Sequence, residues 1–169
     1  MMIELRPIGI IHTPYKEQRD TPIQGVFGLK SQGTVEVFKE FADGLQDIEG
    51  FDYIILLYLF HRSQGFALQV RPYLDDKLHG LFTTRAPRRP NPIGFSVVRL
   101  LEMKKNILSI SEIDILDGTP LLDIKPYVPR FDARLNCRIG WLEGKLEEGQ
   151  DFGADERFRG DWFMNVVNG

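Results

Sequence analysis

Asn106-Ile107-Leu108-Ser109-Ile110-Ser111-Glu112-Ile113-Asp114-Ile115-Leu116 decides the fold class. Leu108 and Ile110 lie in one phase of a strand, and Ile113 and Ile115 lie in the other. Side chains on a strand alternate faces, so a phase change inside one apolar run requires a bulge or a bend. Such bends occur where a sheet curls closed into a barrel. Working outward, Tyr53 to Phe60 is continuously apolar and rich in aromatic and β-branched residues, as expected of a central strand covered on both faces. Thr34 to Phe38 alternates like a half-buried strand, and Ile8 to Ile11 is a shorter candidate. Gly80 to Thr84, Gly94 to Met103 and Leu121 to Tyr127 read as further strands. Phe41, Leu45 and Ile48 are spaced by four and three, which suits a short helical or turn-rich segment between Glu40 and Glu49. These patterns predict an all-β protein, mainly an antiparallel β-barrel, with minor helix. They place the barrel domain over residues 1–130 and a C-terminal extension over 131–169.

The 169 residues suit a single domain with a small appendage, and the 43% hydrophobic and 27% charged fractions are those of an ordinary globular protein. The longest apolar run, Tyr53 to Phe60, is far short of the ~20 residues of a membrane span. Met1 to Ile11 carries charges and Pro7 and shows no signal-peptide core, and the single Cys137 suits a reducing compartment. The expected location is therefore cytoplasmic. His12, His61 and His79 are scattered, with no metal-ligand spacing, so no metal is expected.

The net charge of −3 hides an asymmetry. Residues 81–140 hold 10 basic and 6 acidic side chains, while 141–169 hold 3 basic and 7 acidic. A local basic segment of this kind can attract a polyanion. Its centre is Leu81 to Gly94, with three prolines, three arginines and Asn91. The prolines fix φ and remove donors, so a helix is excluded and a stiff extended loop is expected. Ordering three guanidinium groups together is unfavourable unless an anion or a carboxylate compensates, so the loop reads as an anion-binding wall, with a solvated, rigid surface loop as the alternative.

Three other segments carry candidate chemistry. Pro22 to Gly28 is an apolar loop with two glycines, which permit close approach of a ligand or simply make a hairpin connection. His61 and Arg62 follow the central strand, where His61 could bind a ligand, act as a base, or merely be solvated. Asp117-Gly118-Thr119-Pro120 is a stiff turn that fixes an array of backbone groups, followed by Asp123, Lys125 and Tyr127 on one strand face. There is no nucleophile motif, no Walker loop and no dinucleotide fingerprint.

Taken together, four motifs resemble the TsaA-like family of tRNA-modifying methyltransferases. They are Pro7 to Tyr15, Gly50 to His61, Phe82 to Arg85 with Arg89 to Gly94 and Ser96, and Asp117 to Pro120 with Asp123 to Tyr127. The resemblance covers roughly residues 5–130. It implies a β-barrel enzyme that binds S-adenosylmethionine, acts as a homodimer, and methylates N6 of threonylcarbamoyl-adenosine 37 in tRNA. Carried over by motif, the cofactor-contacting residues are Gln24, Gly25, Val26, His61, Arg62, Arg85, Phe95, Leu116, Asp117, Gly118 and Thr119. Gln24 and Gly25 adjoin directly, where the family pattern has an intervening proline. Arg88, Arg89, Asn91, Lys125 and Tyr127 are the expected RNA-binding set, and the catalytic residue is left unassigned. The acidic tail does not match the family pattern. Competing readings are a methyltransferase of the same fold with another substrate, a non-catalytic nucleotide- or RNA-binding barrel, and an interaction domain.

Overall fold

A computed structural model describes residues 2–17, 21–22 and 31–146 of the chain. Gln24, Gly25 and Val26, and the last 23 residues of the expected C-terminal extension (147–169), lie outside the described residues. The sheet is a closed barrel of six antiparallel strands. These are β1 (Gly9–His12), β2 (Gln32–Val37), β3 (Tyr53–Leu59), β6 (Ile93–Lys104), β7 (Ile107–Ser111) and β8 (Thr119–Pro126), in the order β1-β2-β7-β6-β3-β8. A separate two-stranded sheet pairs β4 (Gln69–Val70) with β5 (His79–Gly80). One short helix, α1 (Pro129–Asp132), follows the barrel.

Alternation along each strand fills the barrel. Ile54, Leu56 and Tyr58 from β3 meet Val98 from β6, Leu108 and Ile110 from β7, Val35 and Val37 from β2, and Ile11 and Leu121. On the outer side of β3 only Ile55 is buried, so the strand is covered less completely than its apolar run suggests. The phase change resolves at Glu112, whose φ of 61° takes the chain out of β7. Beyond it, residues 112–118 leave the sheet. Ile113 and Ile115 nevertheless turn into the core and are fully or almost fully buried. Both side chains join the barrel's core cluster. Ser31 anchors this segment: its Oγ accepts from Ile113 N at 2.9 Å and donates to Ile113 O at 3.0 Å. Register shifts between Leu57 and Tyr58, where β3 meets β8, and between Leu100 and Glu102 on β6 supply the remaining irregularity.

The expected strand over Gly80 to Thr84 is corrected. Only His79–Gly80 is extended, and Leu81–Thr83 is a single 3-10 turn. Thr83 Oγ1 donates to Gly80 O, and Thr84 Oγ1 to Leu81 O, each at 2.8 Å, so threonine hydroxyls take carbonyls that a sheet ladder would need. The first proline, Pro87, lies too far downstream to prevent this turn. The segment between Glu40 and Glu49 forms 3-10 helices at Lys39–Leu45 and Ile48–Gly50. Among the described residues no helix is long and apolar enough to cross a membrane.

Candidate functional site

The end of β3 is where most of the expected residues meet. His61 and Arg62 follow directly from it, and Phe60 N donates to Pro92 O at 2.8 Å, tying this corner to the exit of the arginine loop. Ser63 Oγ donates to Pro87 O at 3.1 Å, a second tie to the same loop. From the other side Thr119 brings its Oγ1 to 3.3 Å from His61 Nδ1. The Thr119 hydroxyl proton is committed to Leu116 O at 2.7 Å. With Nδ1 as the donor to Thr119, the neutral ring keeps its lone pair on Nε2. Burial first, and the Arg62 charge second, hold the His61 pKa below its ordinary value, so the ring favours its neutral form.

The Asp117 turn is built inward. Gly118 adopts φ 73°, the left-handed region, and its N–H donates to Ile11 O at 2.9 Å, while Asp117 N donates to Tyr15 O at 2.8 Å. The Asp117 carboxylate accepts from Thr13 N at 3.0 Å and from Lys16 Nζ. Those two bonds, the lysine first, hold its carboxyl below the usual carboxylate range. Asp117 therefore fastens the turn to residues 13–16. Arg62 does the same from the β3 end, with Nη1 donating to Lys16 O at 2.7 Å. Both fix the chain just before the segment that contains Gln24, Gly25 and Val26.

Arg85 lies over Phe95, 5.7 Å from its ring centroid, and Phe95 is 43% exposed. Arg89 lies over Phe82 at the same distance. Its Nη1 also faces loop carbonyls, donating to Thr84 O at 3.0 Å and more distantly to Leu81 O and Ala86 O. The Arg89 guanidinium thus organises its own loop, which sequence alone did not indicate. Asn91 is exposed on that loop, and Arg88 is half-buried. Lys125 and Tyr127 are not brought here. Lys125 pairs with Asp123 at 2.7 Å, and Tyr127 packs edge-on against Tyr53 at the start of β3. The seven residues of β3, about 20 Å, separate that end from His61.

A line of hydrogen bonds that the sequence did not reveal runs through Tyr58, Ser96 and Asp114. Tyr58 OH and Ser96 Oγ are 3.0 Å apart, and Ser96 Oγ donates to Asp114 Oδ1 at 2.6 Å. An ionised carboxylate only accepts, so the chain runs from Tyr58 O–H to Ser96 O–H to Asp114. Burial first, then the Asp114 charge, push the Tyr58 hydroxyl well above its ordinary pKa. Arg85 acts on the same hydroxyl in the opposite sense, which brings both charges within reach of this buried line. Tyr58 and Ser96 stood within motifs of the family resemblance, but their bond was not legible, because pairing across strands defines the line.

A second cluster holds the arginine loop from outside. Asp75 Oδ2 accepts from Lys145 Nζ at 2.7 Å and lies 3.0 Å from His79 Nε2. Trp141 stacks on His79 with centroids 4.5 Å apart, and its Nε1 donates to Thr83 O at 2.9 Å. The lysine bond, then that to His79, hold the Asp75 carboxyl far below the usual range. Among the described residues no group of three or more His, Cys, Asp and Glu is placed to hold a metal ion.

Residues 10–133 match the model of the tRNA-methyltransferase O N-terminal domain. The chain belongs to that family. The match spans the whole barrel, the arginine loop and the Asp117 turn, and it ends just after α1. A probable S-adenosyl-L-methionine-binding protein of Pyrococcus abyssi is 62% identical over 156 residues, covering 90% of this chain and 85% of the relative. The tRNA (adenine(37)-N6)-methyltransferase of Escherichia coli is 35% identical over 136 residues, 75% of this chain and 58% of the relative. The crystal structure of TrmO from Pseudomonas aeruginosa superposes with a TM-score of 0.72 at 39% identity, covering 85% of this chain and 62% of that one. The chain thus spans about three fifths of the length of that solved TrmO structure. Trp141 and Lys145, which brace the arginine loop, lie beyond the residues matched by the TrmO N-terminal domain.

Proposed function

We propose that this chain binds S-adenosylmethionine at the His61 end of the barrel and methylates N6 of threonylcarbamoyl-adenosine 37 in tRNA. The observation that carries the reading is the corner after β3, where His61 meets Thr119 and where Phe60 and Ser63 bond Pro92 and Pro87 of the loop that holds Arg85. It joins three segments distant in sequence, all within the family match, at one barrel end. The residues there fit the cofactor's chemistry. Arg85 offers a guanidinium to a carboxylate, Phe95 an apolar face, and neutral His61 an acceptor nitrogen. Bound there, S-adenosylmethionine would supply an electrophilic methyl group on a sulfonium.

The protein's own contribution is alignment. Transfer to a nitrogen requires nucleophile, methyl and leaving sulfur in line, and needs no covalent enzyme intermediate. Asp117 and Arg62 hold the turn and the 13–16 segment rigid for that purpose. The attacking N6 must lose a proton. A carbamoyl-bearing N6 is more acidic than an ordinary exocyclic amine, so a weak base suffices. Within this proposal the enzyme is a cytoplasmic homodimer, with the arginine loop facing RNA.

Titration calorimetry with S-adenosylmethionine tests the cofactor half. Arg85→Ala removes a charge-assisted contact worth about 1.5–3 kcal/mol, so its affinity should fall about 10- to 150-fold. Unchanged affinity in that variant, or no binding by the unaltered chain, would refute the site.

A further inference from the structure

The arginine loop is flanked by two aromatic rings, each with a guanidinium over it. Phe82 is 74% exposed although its neighbour Leu81 is buried, so the turn presents the ring outward on a fixed base. That base is rigid. Thr83 and Thr84 bond the turn's own carbonyls, and Trp141 Nε1 holds Thr83 O at 2.9 Å. Arg89 stands 5.7 Å from the Phe82 centroid, and its Nη1 bond to Thr84 O at 3.0 Å restrains it from swinging away. At the loop's other end the Arg85–Phe95 pair repeats the arrangement.

We propose that Phe82, braced by Arg89, is a stacking platform for an unstacked nucleobase of a single-stranded RNA loop. The inference rests on the tRNA reading above and names how that RNA is held. An exposed ring next to a fixed positive charge suits a ligand that combines a π face with a nearby phosphate, which single-stranded RNA does. The surrounding segment, residues 81–140, carries 10 basic against 6 acidic side chains, which favours a polyanion. A second copy of this chain docking through the same patch would bring two arginine loops together, and their like charges oppose it. The sequence concealed the platform because Thr83 to Gly94 holds no aromatic residue. The fold brings Phe82 and Phe95 in from just outside those limits.

Phe82→Ala and Phe82→Trp, assayed by fluorescence anisotropy with a synthetic tRNA anticodon stem-loop, test the assignment. A base stacked on an aromatic ring contributes enough that Phe82→Ala should weaken RNA binding about 5- to 150-fold. Phe82→Trp should bind within about threefold of the unaltered chain, because stacking tolerates a larger ring. S-adenosylmethionine affinity should be the same in all three proteins. RNA affinity unchanged in Phe82→Ala would overturn the platform, as would a loss that Phe82→Trp fails to restore. A loss that sedimentation traces to a broken dimer would overturn it in favour of a second copy covering the ring. Absence of RNA binding by the unaltered chain would instead refute the tRNA reading itself, and the platform with it.

Discussion

Gly94 is the residue at which fold and site are most tightly coupled. It lies directly across from Tyr58 in the β3–β6 register, and the tyrosine ring covers it. A Cβ at position 94 would stand 2.1 Å from Tyr58 Cε2 and 2.4 Å from Cζ, distances that no side chain tolerates. Tyr58 cannot simply turn aside. It is 4% exposed, packs edge-on against Phe60, and bonds Ser96 through its hydroxyl. Gly94→Ala must therefore displace a core ring. Overpacking of that kind costs about 1–3 kcal/mol, and loss of the Tyr58–Ser96 bond adds about 1 kcal/mol. Reduced freedom of the unfolded chain returns about 0.4–1 kcal/mol, leaving a net loss of about 1–3.5 kcal/mol. For a domain of this size that lowers the melting temperature by about 2–14 °C, measurable by scanning calorimetry. The mechanism is tested by a double-mutant cycle. In a Tyr58→Leu background the ring is gone, and Gly94→Ala should cost less than about 1 kcal/mol. An equal cost in both backgrounds, or no loss in the single variant, would refute the argument.

Two further outcomes follow from the charge arrangement. His61 has a folded pKa below its unfolded value, so it contributes stability that is full above about pH 6.5 and declines as pH falls toward the folded pKa. His61→Asn should flatten that slope in thermal melts between pH 5 and 7, and an unaltered slope would show that the ring is not held neutral. Asp75 follows the same sign, although it is held charged rather than neutral. Its depressed pKa gives a contribution present above the ordinary carboxylate range and lost only in strong acid. Lys145→Ala should loosen the Trp141–His79 stack and increase proteolysis within residues 81–92 at neutral pH, and an unchanged cleavage rate would show that the brace is not needed.

The strands were legible where alternation and β-branching were strong. The apolar run from Tyr53, the alternation from Thr34 and the inverted phase around Glu112 each correspond to an observed strand or bend. The inverted phase pointed to a sheet that curls into a barrel, and the six-stranded sheet is closed. Gly80 to Thr84 misled because threonine favours strands but here spends its hydroxyls on backbone carbonyls. Four of the motifs carrying the family resemblance could be read directly, since each is a local string. The Tyr58–Ser96–Asp114 line and the Trp141 brace could not, because their members meet only through pairing across the fold. Arg89 shows the same limit. Its charge was legible, but the bond of its Nη1 to a carbonyl of its own loop was not.

Methyl transfer to tRNA tests the central claim most directly. Purified protein, labelled S-adenosylmethionine and tRNA carrying threonylcarbamoyl-adenosine should yield, on nucleoside digestion, N6-methylated threonylcarbamoyl-adenosine. tRNA lacking the threonylcarbamoyl group should remain unlabelled. Binding of S-adenosylmethionine with no label in either tRNA would contradict the account.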